Sequence, residues 1–96
     1  MKVVYHPDVQ RDVSRILRHY DGINARLGDE FWEELNSFIH KASEHPQRFH
    51  FEERDRRRVN LSRFPYHFLF WEIPGGIRIT VVRHHKQHPE RGMERR

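Results

Sequence analysis

Apolar residues recur at two different periods along the chain, helical in the first half and strand-like in the second. Helical spacing predicts one helix after Pro7 and a second over about residues 24–44. The first apolar stripe comprises Val9, Val13, Ile16, Leu17 and Tyr20. The second comprises Leu27, Phe31, Leu35, Phe38, Ile39 and Ala42. Because only a short connection separates them, the two segments predict an antiparallel helical hairpin.

Local signals predict where these helices begin and end. Residues 3–5 form a short β-prone run that Pro7 stops, so a strand precedes the first helix. Asp8 is expected to cap that helix, and Gly22 is expected to end it in the left-handed conformation. The residue before Pro46 ends the second helix, because proline disfavours helical backbone at the preceding position.

After Pro46 the pattern becomes that of strands. Residues 58–62 alternate polar and apolar positions, which predicts a half-buried strand. The aromatic run at residues 66–72 predicts a central strand covered on both faces, and Pro74-Gly75-Gly76 predicts the turn into a return strand at residues 77–83. The predicted fold is a single α+β domain over residues 1–96, of order β-α-α-β-β-β. In it the helical hairpin packs on one face of a sheet that ends in a three-stranded antiparallel meander, and about residues 90–96 form a flexible tail.

Composition narrows the class of protein. The 96 residues contain no cysteine, which excludes a disulfide scaffold, a cysteine zinc finger and a thiol nucleophile. No apolar run approaches the roughly 20 residues of a membrane span, and the polar N-terminus does not resemble a signal peptide, so we expect a cytoplasmic protein without a membrane partner. The net charge is +4, and only three of the 18 basic residues are lysines. Arginine enrichment suggests nucleic acid or an acidic protein as partner, although an arginine-rich solvated surface explains it equally well.

Three histidines are candidate catalytic residues only if the chain is a ribonuclease. Metal-free RNA cleavage needs a base, an acid and cations near the phosphate. His67, His84 and His85 can supply the first two, because imidazole titrates near neutrality. The cations are sought among Arg58, Arg78 and Arg83. The alternative is that these are ordinary surface histidines in a chain that contains nine.

Two further clusters have a structural and a functional interpretation. The arginines at positions 54 and 56–58 form either a phosphate- or partner-facing sheet edge or a solvated loop. Tyr66, Phe68, Phe70 and Trp71 are predicted to be core under the helices rather than stacking platforms for bases. No metal is expected, because neighbouring residues such as His84 and His85 point to opposite faces of a strand, and no cofactor is implied.

The order of these elements and several short motifs resemble the RelE/ParE superfamily of bacterial toxins from toxin–antitoxin pairs. The motifs cover nearly the whole chain. They are Ala25 and Phe31 in the second helix, Pro46, Arg58, Phe64-Pro65-Tyr66, the segment Val81-Val82-Arg83-His84-His85-Lys86, and Pro89. Phe64-Pro65-Tyr66 after an arginine-bearing strand is most similar to the ParE branch.

The resemblance implies one of two activities. RelE-like members cleave mRNA on the ribosome, and ParE-like members are taken to inhibit DNA gyrase. RNase-type relatives usually have Tyr-Arg where this chain has Tyr66-His67, and a tyrosine near the C-terminus, which residues 84–96 lack. Both departures favour the gyrase-type toxin, with a ribosome-dependent mRNA endonuclease as the alternative and a non-catalytic nucleic-acid-binding module as the third hypothesis. The residues expected to contact the target or a phosphate are Arg58, Tyr66, Arg78, Arg83 and Lys86.

The resemblance also implies a partner. Toxins of this superfamily are held inactive by a cognate antitoxin. Because this chain is basic, we expect an acidic, amphipathic antitoxin segment that folds on binding, covers the arginine face and forms a hetero-oligomer with the toxin.

Overall fold

A strand, two helices and four further strands follow one another along the chain. The computed structural model describes residues 2–96. In chain order the elements are β1 (Lys2–Tyr5), α1 (Val9–Asp21), α2 (Ala25–Glu44), a single 3₁₀ turn (Pro46–Arg48), β2 (Phe51–Glu53), β3 (Arg56–Asn60), β4 (Tyr66–Ile73) and β5 (Gly76–His84). Neither helix in this part of the chain is apolar enough over sufficient length to cross a membrane.

The strands form one mixed sheet in the order β1-β5-β4-β3-β2. β1 pairs with β5 in parallel, and every other pair is antiparallel. The predicted α+β class, with the helices on one face of the sheet, is confirmed. The structure adds β2, a three-residue edge strand that the sequence pattern does not reveal because all three of its residues are exposed.

The main core lies between the helices and the sheet. Buried side chains of α1 and α2 meet Val59, Phe68, Phe70, Ile77, Ile79 and Val82. Phe68 and Phe70 are therefore core residues, as predicted. The prediction is wrong for Trp71, which is half-buried on the opposite face of the sheet because it alternates with Phe70, and the guanidinium of Arg56 sits 4.6 Å from its ring centroid. We call that opposite side the second face of the sheet.

The turn between the helices differs from the prediction. Gly22 has φ −67° and ψ −20°, which is right-handed, and not the left-handed conformation expected at a helix end. The helical turn continues through it, because the N–H groups of Ile23 and Asn24 both donate to the carbonyl of Tyr20. Asn24 takes the extended conformation instead, and its side chain accepts a hydrogen bond from the N–H of Leu27 at 2.9 Å. Asn24 therefore caps α2.

The cap predicted at the start of α1 is absent from the structure. Asp8 occupies the N-cap position, but its side chain makes no capping hydrogen bond. Its backbone N–H donates to Nδ1 of His6 at 3.1 Å. The imidazole of His6 thereby satisfies one backbone donor just before the helix.

Residues 86–96 fold across the second face of the sheet as a series of turns, and we call this segment the strap. The sequence predicts a flexible tail over about residues 90–96, whereas the structure buries Met93 against Leu69 and Val81. Gly92 has φ +81°, and a Cβ built there would lie 2.6 Å from Val81. The strap therefore follows the sheet too closely for any other residue at that position.

Arginine side chains hold the strap by its backbone. Arg83 donates through Nη1 to the carbonyls of Pro89 at 2.7 Å and Arg91 at 2.8 Å. Arg56 donates to the carbonyl of Arg95, and Arg78 to that of Arg96. These donors lie on β3 and β5, outside the strap itself, so the pattern of residues 90–96 alone does not reveal them.

Candidate functional site: an arginine–histidine cluster

The candidate site lies where β4 begins and β5 ends. The antiparallel register places His67 opposite Arg83 and Tyr66 opposite His84. β3 runs beside β4, so Asn60 lies opposite His67. His85 follows β5 directly, and its backbone N–H donates to the carbonyl of Pro65. The fold thereby brings together two of the three histidines proposed as catalytic.

His67 and His85 form a hydrogen-bonded pair. Their Nδ1 atoms are 2.9 Å apart, and their rings are nearly parallel, with centroids separated by 5.1 Å. On its other side, His67 accepts at Nε2 a hydrogen bond of 2.8 Å from Nε of Arg83. Arg83, His67 and His85 are therefore linked by two consecutive hydrogen bonds.

These consecutive hydrogen bonds determine which ring nitrogens carry protons. Arginine is always protonated and only donates, so Nε2 of His67 carries no proton. The neutral His67 ring then carries its proton on Nδ1 and donates to Nδ1 of His85. Arg58 Nη2 approaches the same Nδ1 of His85 at 3.3 Å. The neutral His85 ring therefore carries its proton on Nε2, which has no protein partner among the described residues.

Charge and burial keep both rings neutral. His67 is only 2 % exposed. Its burial, followed by the positive charges of Arg58 and Arg83, lowers its pKa from 6.5 to about 3. Partial burial, followed by the charge of Arg58, also lowers the pKa of His85. Both shifts disfavour the imidazolium form near neutral pH.

Glu52 balances the arginines of the cluster. Its carboxylate pairs with Arg58 and lies 3.9 Å from Nη2 of Arg83. Burial lowers the pKa of Arg83, and the carboxylate of Glu52 opposes that effect. No sequence signal marks Glu52 as part of the site. Its position is set by β2, the edge strand that no periodicity signalled.

His84 lies on the other side of the sheet. Its ring packs edge-on against Tyr66, with centroids 5.0 Å apart, and its Nδ1 accepts the backbone N–H of Lys86 at 3.0 Å. The backbone N–H of His84 donates to the side chain of Gln87. Neutral His84, like His85, therefore presents a protonated Nε2.

The residues expected to contact a target are distributed unequally. Lys86 is exposed, and Arg58 is partly exposed beside His85. Arg83 is 2 % exposed, and its donors are directed to His67 and to the strap. Its β-strand position places its long side chain under the strap.

Tyr66 and Arg78 also lie apart from the cluster. Tyr66 points toward the helices, with its ring centroid 5.5 Å from that of Phe31. Arg78 opposes Trp71 in the register, five residues from Arg83 along β5. At about 3.3 Å per residue the separation is about 16 Å. One small ligand therefore does not reach both Arg78 and His85.

The arrangement offers donors and positive charge but no ready base. His67 is enclosed, and the half-buried ring of His84 and the exposed ring of His85 both present N–H groups when neutral. Within residues 2–96 no group of three or more histidine, cysteine, aspartate or glutamate side chains is placed to hold a metal ion. Chemically, the cluster suits binding of an oxygen anion better than proton abstraction.

Comparison with known proteins found no family model that matches the chain and no matching curated protein.

Proposed function

We propose that this chain is the toxin of a toxin–antitoxin pair and that it arrests growth by binding an essential target, with DNA gyrase as the target implied by its similarity to ParE. The element order and the helices on one face of the sheet are those expected from that resemblance. Such a target would place the protein in the cytoplasm.

The observation that carries the proposal is that both ring nitrogens of His67 are already engaged in hydrogen bonds. His67, at the position where RNase-type relatives usually have arginine, is buried and bonded through both ring nitrogens. A buried ring with a pKa of about 3 and no free nitrogen does not serve as a base for a 2′-hydroxyl. A toxin that acts by binding needs no such base.

An apolar groove supports the proposed antitoxin. It has a volume of about 480 Å³ and lies between β1, α1 and α2. Two large side chains on its walls are half-exposed, Trp32 at 50 % and Tyr5 at 46 %. Exposed aromatic side chains in a groove are typical of protein interaction sites. The amphipathic antitoxin segment would place its apolar side here.

The proposal is tested by inducing the protein and following thymidine and methionine incorporation over the first minutes. We expect DNA synthesis to fall while protein synthesis continues, and co-expression of the antitoxin to restore growth. Purified toxin should inhibit supercoiling by gyrase. Unchanged supercoiling at excess toxin would contradict gyrase as the target, and unchanged growth would contradict the toxin proposal itself.

A ribosome-dependent mRNA endonuclease remains the second candidate, because Arg58, His85 and Lys86 lie together at one end of the sheet. It predicts message cleavage in a translating extract. Cleavage should be lost in the double variant His84→Ala, His85→Ala and kept in the matched double variant His40→Ala, His50→Ala. Intact message with wild-type toxin excludes this candidate.

The third hypothesis, a non-catalytic nucleic-acid-binding module, is distinguished from the two toxin hypotheses by the salt dependence of its binding. It predicts binding to naked RNA or DNA that weakens steeply with salt concentration, without growth arrest.

A further inference from the structure

Arg83 is bonded to two different parts of the molecule. Its Nε donates to Nε2 of His67 at 2.8 Å, and its Nη1 donates to the strap carbonyls of Pro89 and Arg91. One planar guanidinium therefore joins the strap to the histidine pair. Because its donors lie in a fixed fork, its two sets of bonds cannot be rearranged independently.

The strap is held by contacts that do not involve the histidines. Met93 is buried against Leu69 and Val81, and Gly92 lies directly over Val81. Farther along, Arg95 forms a two-pronged ion pair with the buried carboxylate of Asp12, with contacts of 2.6 and 3.2 Å. These contacts bring the carbonyls of the strap to Arg83.

Release of the strap would leave Arg83 without its two carbonyl acceptors. Release would also expose the guanidinium to water, so the strap would no longer hold the long side chain in one orientation, and it can turn toward water or toward Glu52. Glu52 is already 3.9 Å from Nη2 and carries the compensating charge. When the guanidinium of Arg83 turns, its Nε no longer donates to His67, and Nε2 of His67 is then free to carry a proton.

We propose that Arg83 is a positioning residue through which the strap sets the tautomers of His67 and His85. With the strap docked, His67 is protonated on Nδ1, and His85 presents an N–H group at the surface. With the strap released, both tautomers of His67 become accessible. Where Nδ1 of His67 is bare, His85 donates from its own Nδ1, the 3.3 Å contact from Arg58 opens while Arg58 keeps Glu52 and Asn60, and Nε2 of His85 is bare. The strap thereby decides whether the exposed edge of His85 donates or accepts a hydrogen bond.

This inference goes beyond the proposed function, because the chain of hydrogen bonds is independent of the target. Only its consequence for growth arrest rests on that function. The test therefore reads the ring nitrogens directly and does not depend on toxicity.

Two glycines provide a matched pair of variants. Gly92 and Gly75 have nearly the same positive φ, +81° and +80°. A Cβ at position 92 meets Val81, whereas a Cβ at position 75 has nothing within 4 Å. Gly92→Ala and Gly75→Ala therefore impose similar backbone strain, but only the first pushes the strap off the sheet. Met93→Ala is a second, milder way to loosen the strap.

The ¹⁵N spectrum of the imidazoles at neutral pH distinguishes a protonated from a bare ring nitrogen, and amide hydrogen exchange reports whether the strap is docked. We expect Gly75→Ala to match the wild type, with an Nδ1–H on His67 and a bare Nδ1 on His85. In Gly92→Ala, and to a lesser extent in Met93→Ala, amide protection over residues 89–95 should fall. The His67 Nδ1–H signal should be lost in parallel, with both rings shifting toward a mixture of tautomers.

Unchanged histidine signals in a variant whose strap has lost protection would overturn the coupling. A strap that stays protected in both variants would also overturn it, since Gly92 and Met93 would then not be what holds the strap. Loss of protection throughout α1 and α2 would show that the strap is not a separable unit, with the same consequence. A toxin that fails to arrest growth but shows the expected signals would contradict only the proposed function.

Discussion

Acid should destabilise this protein through His67 in particular. The ring is 2 % exposed and accepts from Arg83, so a second proton would face the Arg83 guanidinium without a hydrogen-bond acceptor. A histidine whose folded pKa is lowered contributes stability above its unfolded pKa, and that stability is lost as the pH falls toward the folded pKa. For His67 the window runs from 6.5 down to about 3.

The magnitude follows from the two pKa values. Linkage predicts a loss in the free energy of unfolding of about 2 kcal/mol between neutral pH and pH 5, and of about 3 kcal/mol by pH 4. In a domain of this size, about 2 kcal/mol corresponds to a fall in Tm on the order of 10 °C. Urea unfolding at pH 7.5 and pH 5 measures this difference.

His67→Gln is the informative variant. Its amide oxygen can still accept from Arg83 and its NH₂ group can still donate to His85, but the side chain does not titrate. We expect the variant to lose about 2 kcal/mol less than the wild type between the two pH values. His50→Gln, an exposed site, should keep the wild-type difference. Equal pH dependence in the wild type and His67→Gln would refute the assignment of a buried, neutral His67.

Three further outcomes are expected. Asp12→Ala should lower the free energy of unfolding by about 3 kcal/mol, because it removes the buried carboxylate that Arg95 pairs with and leaves only the more exposed Asp8, 3.9 Å away, as its counter-ion. Exposed Asp29→Ala should change it little, and equal losses in urea unfolding would contradict this. Gly22→Ala should be neutral or stabilising by up to about 1 kcal/mol, since its φ is right-handed. Gly76→Ala should destabilise strongly, because its Cβ would lie 1.9 Å from the first backbone carbonyl of β1; thermal melts of the pair separate the two. Trp32→Ala should leave Tm nearly unchanged and weaken binding of the antitoxin at least tenfold by calorimetry, and unchanged affinity would exclude the groove as its site.

The local elements could be predicted because each has a short-range cause. The apolar stripe that includes Phe31 and Leu35 is enough to predict α2, and Pro46 is enough to end it. Likewise, the turn at Gly75, whose φ is +80°, follows from the dipeptide Gly-Gly after proline. These signals act within a few residues, so they do not depend on how the sheet is assembled.

Features that depend on distant contacts could not be predicted. The right-handed conformation of Gly22 follows from how α2 begins. The strand β2 has no buried apolar face from which a sequence pattern could predict it. The strap is ordered by Met93, by the ion pair of its Arg95 with Asp12, and by three arginines that donate to its backbone, Arg56, Arg78 and Arg83. Nothing in residues 90–96 taken alone indicates that order, because their partners lie on α1 and on the strands, up to 83 residues earlier in the chain.

The candidate site divides in the same way. The amino-acid sequence by itself determined that histidines and arginines end up on the last strands of a basic α+β domain, since strand periodicity and composition are local properties. Only the tertiary structure decided which of them meet. The antiparallel register of β4 and β5 pairs His67 with Arg83, the turn after β5 brings His85 within hydrogen-bond distance of His67, and burial lowers the pKa of both rings. Hydrogen-bond direction and desolvation depend on neighbours in space, which is why the same residues that suggested a base in the sequence form a donor in the fold.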